Sequence, residues 1–200
     1  MREFTSGTFT PQRKAIGIND KFGNKGIKQQ QGSTVIKYDT LPLDGSTELR
    51  FFQGSANRSY PLSNTGSDGN KLGVGNSMVV ERSYLTLIKY DTEDPTIVVA
   101  ITPLSLLSPI QELLLAEFGF SIANTEVIKT VPVLSWLPEF NKVAENALNT
   151  NFEFDTQVVV PPLLEYIATI RLPKYTASKI YALRLTIEGT GAIISPRATF

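Results

Sequence analysis

From residue 33 onward, short runs rich in β-branched and aromatic side chains alternate with turn residues at close intervals, the pattern of an all-β sandwich or barrel. A first strand is expected over Thr34–Asp39 (TVIKYD), and Asp44-Gly45 marks a tight turn before a second over Glu48–Gln53. From Gly54 to about Asn76 the breakers Asn64, Gly66, Asp68, Gly69 and Gly73 predict a long loop, functional or packed against a partner. Met78–Tyr90 (MVVERSYLTLIKY) is the strongest strand signal. Met78, Val80, Tyr84, Ile88 and Tyr90 share one parity, interrupted by Arg82 and Thr86, while Glu81, Ser83 and Lys89 occupy the other. Residues 91–95 (DTEDP) form a turn, and the continuous apolar run Thr96–Thr102 (TIVVAIT) suits the core of a sandwich.

One helix is signalled. Ser108 can cap it, Pro109 favours its first position, Gln111 completes a capping box, Gly119 can end it, and Ile110, Leu113, Leu114 and Phe118 supply an apolar stripe. Phe120–Val133 reads as extended and Pro138–Leu148 as a second short helix. Three late strands follow at Phe152–Val160, Leu164–Leu172 and Lys179–Glu188, where Tyr181, Leu183, Leu185 and Ile187 form a clean core face. The total is about eight strands with one or two helical insertions. Gly73, Gly75, Gly189 and Gly191 are expected in turns.

Residues 1–32 lack this periodicity. They contain Arg2, Arg13, Lys14, Lys21, Lys25 and Lys28 against Glu3 and Asp20, a net +4, which leaves 13 positive and 17 negative side chains, net −4, in residues 33–200. The division is therefore a flexible basic N-terminal arm (1–32) and a β domain (33–200). Such an arm can pair with acidic neighbours or meet a polyanion. Six positive charges over thirty-two positions are sparse for a segment that condenses nucleic acid, so an inter-subunit tie is at least as well supported as genome packaging.

The chain has no cysteine and no histidine, which excludes disulfides, thiol nucleophiles, Cys/His zinc sites and imidazole-based triads. The remaining candidates for chemistry are weak. Asp91, Glu93 and Asp94 lack the spacing of a calcium loop and read as a solvated hairpin turn. Glu153 and Asp155 share a strand face, as paired carboxylates do in many β proteins by chance. Trp136, Phe140, Tyr166, Tyr175 and Tyr181 could build a sugar-stacking platform but more commonly make core or interface. No apolar leader or membrane-length run is apparent, and a soluble protein made without an export signal is expected.

A basic arm, about eight strands, and the closing run FEFDTQVVVPPLLEYIATIRLPKYTASKIYALRLTIEGTGAIISP (Phe152–Pro196) together resemble a single jelly-roll capsid protein of a non-enveloped icosahedral virus, in particular of a tailless bacteriophage. The resemblance is one of architecture. It implies a virion structural subunit, either a small major coat, a vertex (penton) or a minor shell protein, made in the host cytoplasm and located in the capsid. Its partners would be copies of itself and other capsid proteins. Arg13, Lys14, Lys21, Lys25 and Lys28 would contact neighbours, or weakly and non-specifically the genome or an inner membrane lipid. No catalytic residue, cofactor, metal or small-molecule substrate is implied. The alternative is a phage spike or fibre module that binds a receptor or carbohydrate. Deleting residues 2–31 is expected to leave the melting temperature of the β domain nearly unchanged while impairing assembly; calorimetry paired with light scattering checks both.

Overall fold

In a computed structural model the chain is described at residues 30–53, 60–65, 70–74, 76–94, 96–137 and 151–194. Among these residues nine strands form two antiparallel sheets: β1 Gln30–Pro42, β2 Glu48–Phe51, β3 Asn76–Tyr90, β4 Val98–Pro103, β5 Glu117–Ile122, β6 Thr125–Pro132, β7 Asn151–Val160, β8 Tyr166–Arg171 and β9 Tyr181–Ile194. One sheet runs β1-β9-β3-β4, with β7 also on β3; the other runs β2-β8-β5-β6. The antiparallel pairs β1·β9, β2·β8, β3·β7 and β5·β6 are nested, first strand with last and inward. A long hairpin rolled up in this way is a jelly roll, and β4 is an addition to it. β1 begins at Gln30, inside the segment assigned to the arm, so a deletion ending at residue 29 leaves the strand whole.

The alternating residues of each strand fill the space between the sheets. Leu183, Leu185 and Ile187 of β9 are fully buried, as their parity requires, and face Phe118 and Phe120 of β5 within one continuous cluster. Burying these side chains contributes roughly 1.5–3 kcal/mol each before conformational entropy is counted. Trp136 is buried, stacks on Phe152 at a centroid distance of 4.6 Å and donates its indole N–H to Ser83 Oγ at 3.1 Å.

β3 does not keep a single parity. Its register shifts between Val80 and Arg82 against both β7 and β9, so Met78 and Val80 face the core before the bulge and Ser83, Leu85 and Leu87 face it afterwards. Tyr84, expected with Met78, therefore points outward. Gly189 sits across from this bulge, paired with Val80, and is a strand glycine rather than a turn glycine. A Cβ there would overlap the Val79 carbonyl oxygen, and one on Gly191 would press on Val35 and Ser33. Both glycines allow β9 to lie tightly between β1 and β3.

Two further expectations are corrected. The helix after Ser108 does not form; a single 3-10 turn spans Gln111–Leu115, and Phe118 and Gly119 belong to β5. Ile110 at its start is extended, and Ser108 Oγ is taken by the Ser105 N–H at 3.0 Å, so no side chain caps the turn. The turn buries Ile110, Leu113 and Leu114, while Phe118, Phe120 and Ile122 follow the two-residue period of a strand. Phe120–Val133 is divided by a two-residue turn at Ala123-Asn124 that joins β5 to β6. The second helix, Pro138–Leu148, lies outside the described residues.

Gly189→Ala is expected to cost about 2 kcal/mol or more, because the obstacle is backbone rather than a movable side chain; urea denaturation measures it. Tyr166, buried between Phe52 and Phe120, has no hydrogen-bond partner for its hydroxyl among the described residues. Burial first, and the Asp39 carboxylate second, raise its pKa far above the ordinary value of 10.0. Below that value the phenol is neutral in both folded and unfolded chains. Above it only the unfolded chain loses the proton, so stability falls as pH rises. Tyr166→Phe is expected to lie within about 1 kcal/mol of the parent at neutral pH. It should then gain on the parent as denaturation is repeated from about pH 8 to about pH 11.

Candidate assembly surface

The run Ile97–Ile101, expected in the core, is instead the most exposed apolar segment of a strand in the described structure. β3 passes through the turn at residues 91–94 and returns as β4, whose only strand partner is the second half of β3. Ile97, Val98, Val99 and Ile101 are 54%, 43%, 55% and 58% exposed, and Leu107 in the following connection is 92% exposed. Exposed apolar side chains on both faces of one strand mark a contact surface rather than scattered surface residues. The composition of the run fits a buried strand, but its position at the edge of the sheet, paired on one side only with β3, leaves it open.

The edge strands β1, β2 and β6 carry devices that limit further pairing, whereas β7, like β4, has only β3 as a strand partner among the described residues. Along β1, Asn64 mimics a strand. Its side-chain Oδ1 accepts the Tyr38 N–H at 2.8 Å, its Nδ2 donates to the Ile36 carbonyl at 2.9 Å, and its own N–H donates to the Tyr38 carbonyl at 3.2 Å. Arg184 holds this part of the long loop in place: it stacks over Tyr38 and donates to the Pro61 carbonyl at 2.8 Å. The loop expected to be functional or partner-bound thus seals an edge of its own sheet at residues 63–65. In the second sheet β2 is only four residues long and carries Glu48 and Arg50, and β6 carries Glu126, Lys129 and Pro132. Short length, charge and proline are the usual protections of an edge. β4 has no charge, and its only proline is its last residue.

The remaining candidates lie elsewhere. Arg13, Lys14, Lys21, Lys25, Lys28 and Phe140 are outside the described residues. Asp91 Oδ1 accepts the Glu93 N–H at 2.7 Å and the Asp94 N–H at 3.3 Å, and Asp94 Oδ1 accepts from Thr96 Oγ1 and N. These bonds hold both carboxyls below their usual pKa and leave the carboxylates turning the chain into β4. Among the described residues no acidic group of three or more converges as a metal would require. Glu153 is exposed on β7, in register with Arg82. Beside it the Tyr84 hydroxyl donates to Glu188 Oε2 at 2.7 Å, and the neighbouring Tyr84 oxygen holds the Arg82 guanidinium more firmly protonated. Burial and the Glu188 bond raise the Tyr84 pKa, so this outer-face cluster is internally paired.

Three of the aromatic candidates are interior, and Tyr181 is half-buried against the core. Trp136 and Tyr166 are buried, and Tyr175 is buried with its hydroxyl accepting the Gly45 N–H at 3.1 Å, which pins the β1–β2 turn. No face of Trp136 is open for a sugar to stack on. No helix among the described residues is long and apolar enough to cross a membrane. Fold and surface together define a jelly-roll β-sandwich with an exposed apolar strand, β4, at one edge. Comparison with protein-family models and with curated proteins finds no match for the chain.

Proposed function

We propose that this protein is a virion structural protein, a capsid subunit of the small major coat, vertex or minor shell type, which assembles through its β domain and its basic N-terminal arm. The observation that carries the reading is the uncharged, exposed apolar strand β4 added to a jelly-roll topology. A shell subunit has to offer a surface to its neighbours, and an exposed apolar strand such as β4 offers one. The proposed role calls for no turnover and no cofactor. The net +4 of residues 1–32 against the net −4 of the remainder gives the arm residues, Arg13, Lys14, Lys21, Lys25 and Lys28 among them, acidic surface on neighbouring copies to meet, besides genome or inner membrane lipid.

Light scattering of the purified full chain, followed by electron microscopy, tests the proposal. Rings, pentons or shells are expected at high protein concentration, with an assembled fraction that varies with salt as the arm contacts are screened. A strict monomer at every salt and concentration overturns it.

A further inference from the structure

We infer that the outer face of β4 receives residues 13–18 of a neighbouring copy's arm, with Ile16 and Ile18 on its apolar side chains and Arg13 and Lys14 against the acidic turn before it. The inference rests on the assembly through the arm proposed above and names the surface that holds the arm.

β4 offers side chains rather than backbone. Its register against β3 runs Pro103 with Thr86, Thr102 with Leu87, Ile101 with Ile88 and Ala100 with Lys89, then steps to Val98 with Tyr90. Val99 is the extra residue of a bulge, and its N–H turns toward β3. The bulge, together with Pro103, which has no N–H to give, makes the free edge a poor template for an added strand. The same bulge arranges the side chains. Residues paired across a ladder share a face, so Val98 and Ile101 stand with Tyr90 and Ile88, opposite the face on which Leu85 and Leu87 enter the core. Tyr90 and Ile88 are two positions apart on β3. Val98 and Ile101, 43% and 58% exposed, are therefore about 7 Å apart on the outer face.

Residues 13–18 (RKAIGI) match this surface in spacing and in charge. Ile16 and Ile18 are the only large apolar side chains of residues 1–29 at a two-residue spacing, about 7 Å in an extended chain. Arg13 and Lys14 precede them, as Asp91, Glu93 and Asp94 precede β4. The three carboxylates reach solvent, and Lys89 near Asp91 offsets only part of their charge. Laid parallel to β4, one extended segment meets both the apolar pair and the acidic turn. A second β4 would supply the apolar half alone, since residues 96–111 carry no charge, and a polyanion would be repelled by the turn.

Reach favours a neighbour's arm over the chain's own. β1 starts beside the first residues of β3, Gln31 with Ile193 and Ile193 with Asn76, whereas β4 pairs with the last. The Asn76 and Ile88 rows are about 40 Å apart along the sheet, and β1 and β4 about 14 Å apart across it. From Ile18 to Gln30 the chain spans about 40 Å when fully drawn out. A chain's own arm is thus at the limit of its length, and a neighbour's arm is under no such limit.

The chain has no cysteine, so an introduced thiol is the only one present. Full-length Ile18→Cys is mixed with affinity-tagged, full-length Ile101→Cys and oxidised mildly. A mixed disulfide dimer is expected at least about tenfold above that formed with Ile36→Cys, which is exposed on the sealed β1 edge. Adding Lys14→Glu to the Ile18→Cys chain should lower the mixed yield about threefold, and Glu93→Lys in the Ile101→Cys chain should restore it. Equal mixed yields at positions 101 and 36, in a protein that assembles by light scattering, overturn the docking and leave the capsid proposal standing. Predominant homodimers of Ile101→Cys would assign the surface to a second β4, and an Ile18→Cys/Ile101→Cys chain that closes only on itself would assign it to the chain's own arm. Either result overturns the exchange between copies. A monomeric parent protein overturns both the docking and the capsid proposal.

Discussion

The β3–β9 ladder, closed where Gly189 admits the Val79 carbonyl, is the contact on which the rest of this fold depends. It joins segments about a hundred residues apart, and β1, β7 and β4 enter the sheet only by pairing with one of its two members. The bulge at Glu81 turns the two halves of β3 to serve different neighbours, β7 along the first half and β4 along the second. With a side chain at position 189 the bulge could not close, and the inward faces of β3 and β9 would not bury the same layer.

A sheet built around one central pair has to end somewhere, and how each end is handled is the main functional information in the structure. The β1 edge is occupied by the Asn64 amide, itself held through the Arg184 contact with Pro61. The second sheet ends in a short strand and a charged one. The strand that departs from the eight-strand plan, β4, is also the one whose apolar side chains are exposed on both faces. The exposed apolar faces of β4 contrast with the interior aromatics, whose polar groups are bonded within the chain at Trp136 and Tyr175.

Much of the architecture was legible in the sequence. The strand positions follow from β-branched runs between turn residues, and the core face of β9 from simple alternation of Leu183, Leu185 and Ile187. Where local patterns failed, a longer-range requirement had prevailed. The capping residues near Ser108 describe a helix, but Phe118 and Phe120 were needed in register with β8, and the strand consumed the second half of the would-be helix. The parity of β3 broke because a bulge is invisible in side-chain type, and the glycines at 189 and 191 carried its only signal.

By itself the sequence determined the class of fold, the inward face of its regular strands, the absence of thiol and imidazole chemistry, and the separation of a basic N-terminal segment from an acidic remainder, because these depend on composition and on a period of two residues. Only the tertiary structure decided which apolar run is core and which is surface. Thr96–Thr102 is the more continuously apolar run and Leu183–Ile187 alternates with Arg184 and Thr186, yet the second supplies core and the first is exposed, a difference set by the pairing of distant strands rather than by the residues of either run.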